Sequence, residues 1–159
     1  MIHMMSLPGW WFSENLRGNN FWISVFIPYV RDQVGHYRQL CERNGRSEAV
    51  VVGYVASESL RNEGASEINE VGRVAISLSS DTDDSENLAS KIDGVDAWLQ
   101  RPITIPSMHR RVSIYGGDID LALPNYKGVL SDGMGYLFID NAGLEMKSTE
   151  LGKFFLQLG

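Results

Sequence analysis

Short runs of apolar and β-branched residues recur along the chain, each bounded by Gly, Asn, Asp or Pro. Runs of this length and composition are typical of β-strands. They predict six strands, at residues 21–27, 49–55, 73–79, 111–115, 134–139 and 153–158. Side chains alternate along a strand, and in the last run large apolar residues fall on both faces. We therefore expect that strand to lie in the centre of the sheet.

One segment has the apolar spacing of a helix instead. The residues that recur at i, i+4, i+7 and i+11 are Val30, Val34, Tyr37 and Cys41. Asn44-Gly45 then supplies a stop signal. Residues 57–69 have little apolar periodicity, so a short helical turn and a solvated acidic loop are both left open. Because strands outnumber helices and do not alternate with them, we predict an α+β domain with a mainly antiparallel β-sheet and one clear helix.

The length of 159 residues fits one domain with a substantial core. Residues 1–159 are therefore predicted to form a single domain, which the polar stretch at 79–87 could divide into two halves. Residues 1–5 are expected to be a loose start. The most apolar run, 21–27, is far shorter than the roughly 20 residues that a membrane-spanning helix needs, so no membrane partner is predicted. The single cysteine, Cys41, excludes an intramolecular disulfide and fits a cytoplasmic location.

Acidic residues are concentrated in one part of the chain. The formal net charge is −6, and the segment from Glu58 to Glu86 accounts for all of it with eight carboxylates and two arginines. The absence of a basic stripe argues against a nucleic-acid partner. A segment of this kind attracts a basic protein surface. The residues predicted to contact such a partner are Glu67, Glu70, Asp81, Asp83, Asp84 and Glu86. The alternative is a solvated loop that serves solubility.

Residues with catalytic potential are few. No Ser-His-Asp, HExxH or Cys-His arrangement is legible, and we expect neither a cofactor nor a bound metal. Asp118 and Asp120 lie at i, i+2 and are predicted to share one face of a strand, where paired carboxylates could perform acid/base chemistry. This is the basis of the alternative function, a small hydrolase or ligand-binding enzyme. The polar face of a half-buried strand explains the pair equally well. Gly116-Gly117 lacks, in this interpretation, the strand–turn–helix setting of a phosphate loop.

Residues 91–100, KIDGVDAWLQ, resemble the signature K-[IL]-G-G-x-P-x-W-[IL]-Q of the YwqG-like family of largely uncharacterised bacterial proteins. The matching residues are Lys91, Ile92, Gly94, Trp98, Leu99 and Gln100. Asp93 and Asp96 depart from it, standing where glycine and proline are usual. Residues 132–139 and 152–159 are similar to the closing GxxYxF and FFxQxG patterns of the family. The resemblance therefore covers about residues 88–159.

Members of this family can occur beside polymorphic toxin genes. The resemblance therefore implies a cytoplasmic immunity protein, which binds a cognate toxin and neutralises it without catalysis. Some members carry cysteine pairs in this half of the chain, and their absence here speaks against a metal role. Trp98 is predicted to anchor a loop onto the core. Alternatively, Trp98 and Gln100 line a ligand or partner site. The sequence specifies neither the partner nor the oligomeric state.

Overall fold

The computed structural model of the chain describes residues 1–30, 33–56, 88–95, 97–147 and 150–159. These residues form one seven-stranded sheet in the order β1-β2-β3-β7-β6-β5-β4, and every neighbouring pair is antiparallel. The strands are β1 (Ile2–Pro8), β2 (Phe21–Ile27), β3 (Val50–Val55), β4 (Lys91–Ile92), β5 (Met108–Tyr115), β6 (Met134–Asp140) and β7 (Glu150–Gln157). The predicted α+β, mainly antiparallel architecture is confirmed.

Three short α-helices accompany the sheet in the described ranges: α1 (Gly35–Leu40), α2 (Gly116–Ala122) and α3 (Asn141–Glu145). Single 3₁₀ turns lie at Gly9–Trp11, Glu14–Leu16 and Pro124–Tyr126. Asp140 caps α3, because its Oδ1 accepts a hydrogen bond from the amide of Ala142 at 3.1 Å. None of the helices seen in these ranges has the length and apolar character needed to cross a membrane.

Strand β7 contributes to hydrophobic cores on both faces of the sheet. Phe154 and Leu156 belong to the main core, together with the buried side of β1, β2 and α3. Phe155 belongs to a second core on the opposite face, with Tyr136 and Phe138 of β6. β7 is the fourth of the seven strands, so its predicted central position is confirmed. A strand that is buried on both faces must carry apolar residues at both odd and even positions.

The helix prediction was wrong about the face that packs. Val30 and Val34 are 46% and 74% exposed, and α1 begins only at Gly35. Its buried residues are His36 and Leu40. The ring nitrogens of His36 lie 2.8 Å from the Gln33 carbonyl and 3.2 Å from the Val129 carbonyl. Donation of a ring N–H to one of these carbonyl oxygens lets a polar ring be buried at lower cost, which apolar spacing does not reveal.

Asn44-Gly45 lies beyond α1 and forms a tight turn of its own. Both residues have positive φ, 53° and 71°. Arg43 and Arg46 flank the turn, and their backbone amides and carbonyls are joined by two hydrogen bonds of 2.9 and 3.0 Å. Asn-Gly is the preferred pair for such a turn because both central residues must adopt positive φ. The pair is therefore a hairpin signal and not a helix stop.

The start of the chain is also different from the prediction. β1 is a full edge strand, in which Ile2, Met4 and Leu7 are buried, so residues 1–5 are not a loose start. The predicted strand at 73–79, the undecided segment at 57–69 and the possible junction at 79–87 lie outside the described residues.

Candidate functional site

The signature segment, residues 91–100, opens with a turn that two arginines hold. Asp93 and Gly94 have φ of 52° and 75°. Arg110 donates from Nη1 to the Asp93 carbonyl at 2.8 Å and from Nη2 to the Gly94 carbonyl at 2.6 Å. Arg111 Nε forms an ion pair with Asp93 Oδ1 at 2.9 Å. Positive φ favours glycine, so the aspartate at this position adopts a backbone conformation in which a glycine would be unstrained.

Trp98 packs on the second core as a half-buried residue. Its ring stacks on Tyr136, with centroids 4.4 Å apart and an angle of 26° between the planes. The Tyr136 hydroxyl donates to the Ala97 carbonyl at 2.7 Å and accepts from the Leu99 amide at 3.4 Å. Tyr136 thus holds three consecutive residues of the segment against β6. This geometry is that of a packing residue at the rim of the core.

Replacement of Trp98 by alanine is expected to lower the free energy of unfolding by about 2 kcal/mol. This is less than the roughly 3–5 kcal/mol for a fully buried aromatic, because the ring is half-buried. Trp10→Ala is a matched control, since Trp10 is 41% exposed and packs edge-on against Trp11. We expect the control to lose less than about 1 kcal/mol. Denaturant unfolding of the two variants measures both losses of stability. An equal loss in both would contradict the prediction that Trp98 anchors its loop to the core.

The segment ends in a glutamine network beside a small polar pocket. The backbone N–H of Gln100 donates to Gln157 Oε1 at 3.0 Å. Gln157 Nε2 in turn donates to the backbone carbonyl of Arg101 at 2.7 Å. Arg101 Nη2 lies 3.5 Å from Glu42 Oε2. A pocket of about 80 Å³ is lined by Cys41, Glu42, Gln100, Arg101, Ile103, Leu156 and Gln157. It adjoins a hollow of about 240 Å³ that shares Glu42, Arg101 and Ile103.

This pocket brings Gln100 to a candidate ligand-lining position and leaves Trp98 outside the lining residues. Glu42 and Arg101 form an ion pair with each other beside this pocket, so their opposite charges largely compensate one another. Sequence reasoning missed Glu42 and Arg101 because they are far apart in the chain and lie in no recognisable motif. They meet only where the residues after α1 approach the loop before β5.

The aspartate pair was placed on the wrong kind of element. Asp118 and Asp120 lie on α2 and not on a strand. Asp118 Oδ2 accepts from the Ser90 amide at 2.7 Å, whereas Asp120 Oδ1 accepts from the Gly128 amide at 2.8 Å. Residues two apart on a helix point in different directions. Each carboxylate therefore accepts a hydrogen bond from a different loop, and the predicted placement of the pair on one face of a strand is wrong.

Gly116 and Gly117 open α2 directly after β5, so the chain passes from strand to helix without the loop that a phosphate site of this kind needs. β5 ends at Tyr115 and α2 begins at Gly116. A Cβ at Gly116 would lie 1.8 Å from the Ser131 carbonyl oxygen, and one at Gly117 would lie 2.6 Å from the Tyr115 ring. Glycine is required here for close packing of backbone and ring.

The predicted partner-binding acids lie outside the described residues: Glu67, Glu70, Asp81, Asp83, Asp84 and Glu86. The residues that flank this part of the chain, Ala56 and Leu88, are described. The resemblance of residues 88–159 to the YwqG-like family stays a prediction. Comparison of the chain with protein-family models, with curated proteins and with solved structures found no match.

Proposed function

We propose that this protein is a non-catalytic immunity protein of the cytoplasm, which binds and neutralises a cognate toxin through the toxin's basic surface. The observation that supports the proposal is the distribution of charge. Residues 57–87 carry the whole net charge of −6, and the remainder of the chain has equal numbers of acidic and basic side chains. Like charge concentrated in one segment of the sequence creates a field that attracts a basic partner.

The described residues on either side of this acidic segment are held by hydrogen bonds. At the first end, Asn20 Nδ2 donates to the Ala56 carbonyl at 2.6 Å, and the Ala56 amide donates to the Asn20 carbonyl at 2.9 Å. At the second end, the Ser90 amide donates to Asp118, and Ser90 Oγ accepts from the Tyr115 amide at 2.9 Å. In the proposed function, Asp118 therefore has the role of fixing the exit of the binding segment.

Neutralisation of the acidic segment tests the proposal through the rate of association. The variant replaces Asp81, Asp83 and Asp84 by Asn and Glu86 by Gln. A control variant removes the same charge from four exposed carboxylates elsewhere, at Glu14, Glu48, Asp132 and Glu145. The binding partner in the assay is the product of the adjacent gene. Surface plasmon resonance at two salt concentrations gives the association and dissociation rates.

We expect the acidic-segment variant to associate about 10-fold more slowly at low salt and to depend less on salt, while dissociation changes little. The control should retain most of the association rate, because steering depends on where the charges lie and not on the net charge alone. Equal rates for wild type and the acidic-segment variant would contradict electrostatic steering. Failure of the protein to restore growth to cells that express the adjacent gene would contradict the immunity role itself.

A further inference from the structure

The half-sheet formed by β1, β2 and β3 contains no Asp, Glu, Lys or Arg. The strands of the other half carry six such residues: Lys91, Arg110, Arg111, Asp140, Glu150 and Lys153. One face of the uncharged half-sheet lies in the main core. Strand pairing aligns the side chains of its other face in three rows, which are His3-Phe26-Val50, Ser6-Ser24-Val52 and Pro8-Trp22-Tyr54. Depletion of charged residues distinguishes the centre of a protein interface from other surface.

Among the described residues, the aromatic side chains of this outer face pack in neither hydrophobic core. Trp22, Phe26 and Tyr54 are half-buried, and none of them belongs to the main core or to the second core. Trp and Tyr are enriched among the few residues that supply most of the binding energy of an interface. The outer face therefore has the composition of a protein-binding surface.

The polar groups of the outer face are hydrogen-bonded to one another. Ser24 Oγ donates to the Tyr54 hydroxyl at 3.2 Å, which uses its single proton. Ser6 Oγ therefore donates to Ser24 Oγ at 2.7 Å, and His3 Nε2 donates to Ser6 Oγ at 2.8 Å. Polar groups that already have partners cost less to remove from water, so a bound protein can exclude water from this face. The Tyr54 hydroxyl keeps its own proton for an acceptor on that protein.

Asn20 connects the Trp22 end of the outer face with the start of the acidic segment. Its Oδ1 accepts a hydrogen bond from Trp22 Nε1 at 3.0 Å, and its Nδ2 donates to the Ala56 carbonyl at 2.6 Å. The acidic segment begins at residue 57, directly after Ala56. One side chain thus holds an aromatic ring of the face and the residue that precedes the charges to which the proposed function assigns the attraction of a partner.

The size of the outer face indicates what kind of interface it can form. Neighbouring strands lie about 4.8 Å apart and successive residues about 3.4 Å apart, so the three rows span roughly 10 by 14 Å. A stable interface buries about 800 Å² on each partner. A homodimer through this face alone would therefore be too small to be stable. The face fits the uncharged centre of a larger interface, which polar and charged surface surrounds.

We infer that the outer face of β1, β2 and β3 is the centre of the interface with the toxin, and that Trp22 and Tyr54 hold the bound toxin in place; this inference rests on the proposed function. The matching surface of the toxin is an apolar, uncharged patch beside basic residues, with a hydrogen-bond acceptor for the Tyr54 hydroxyl. The two parts of the interface have different kinetic roles. Charge in the acidic segment sets the association rate, whereas burial of the two rings sets the dissociation rate.

Surface plasmon resonance with the product of the adjacent gene tests this division of roles on the full-length protein. The variants are Trp22→Ala and Tyr54→Ala. The control is Leu121→Ala, because Leu121 is an apolar residue on α2 that is 85% exposed. Thermal melting establishes which variants keep the fold. Trp22→Phe retains an aromatic ring on β2 and supplies the measurement if Trp22→Ala does not fold.

We expect Trp22→Ala and Tyr54→Ala each to dissociate about 30-fold faster, and Trp22→Phe about 5-fold faster, with association unchanged. Leu121→Ala should bind as wild type does. Wild-type dissociation rates in the folded variants would overturn the inference and leave the proposed function standing. Absence of binding by wild type would overturn both. A wild-type oligomer in light scattering that Trp22→Ala separates into monomers would assign the face to a second copy of the chain, which also overturns the inference.

Discussion

Gly116→Ala is expected to lower the free energy of unfolding by about 3 kcal/mol, and by more if the β5–α2 junction cannot move. The new methyl carbon would lie 1.8 Å from the Ser131 carbonyl oxygen and 3.3 Å from the Gly133 carbonyl oxygen. Both obstacles are backbone atoms, so no side-chain rotation can make room. Relief requires the junction to separate from the 131–133 loop, which would stretch the 2.9 Å hydrogen bond from the Gly116 amide to the Gly133 carbonyl. Overpacking of this kind costs roughly 1–3 kcal/mol, and occasionally more.

Gly35→Ala is the matched control, because it adds the same methyl group where nothing lies within 4 Å. Gly35 opens α1, and alanine is the better helix former by up to about 1 kcal/mol. The control should therefore be neutral or slightly stabilising. Urea unfolding with an unchanged slope compares the two variants on one scale. A loss below about 1 kcal/mol in Gly116→Ala would show that the junction is loosely packed, contrary to the structure.

The sequence predicts the strands well where each strand is one uninterrupted apolar run. β2 spans 21–27 and β6 spans 134–140, within one residue of the prediction. β5 begins three residues earlier than predicted, at Met108, because the segment MHR has no apolar run of its own. Pairing with β6 extends the strand to Met108, which lies opposite Asp140. The limits of a strand therefore depend on its neighbour as well as on its own composition.

Two further failures show that local periodicity does not detect features that the fold imposes. β1 was not predicted because its bulge interrupts the alternation of apolar and polar residues. The stretch GGDIDLA alternates as a strand would, yet it forms α2, because Gly116 lets the chain turn tightly against the 131–133 loop. The candidate site shows the same limit. Glu42 and Arg101 meet through the fold alone, whereas Gln100 could be singled out because it belongs to a recognisable motif.

Substitution of the two adjacent phenylalanines of β7 can test the two hydrophobic cores separately, because each belongs to a different core. Phe154 and Phe155 are both fully buried, so replacement of either by alanine should cost about 3–5 kcal/mol. Phe154 faces the main core, and Phe155 contacts the Phe138 ring edge-on at 5.7 Å in the second core. Similar losses of stability are thus expected from changes on opposite faces of one strand.

The second core supports the signature segment, so only Phe155→Ala should loosen it. The backbone N–H of Leu99 donates to Tyr136 in β6, and that of Gln100 donates to Gln157 in β7. β7 also carries Phe155, which packs with Tyr136 in the second core. Hydrogen exchange at these two amides should accelerate in Phe155→Ala by more than at the β2 amides of Ile23 and Val25, which report global unfolding. In Phe154→Ala all four amides should change together, because its cavity opens in the core to which β2 belongs. Equal relative acceleration in both variants would mean that the two faces unfold as one unit, and the signature segment would then owe its position to the fold as a whole.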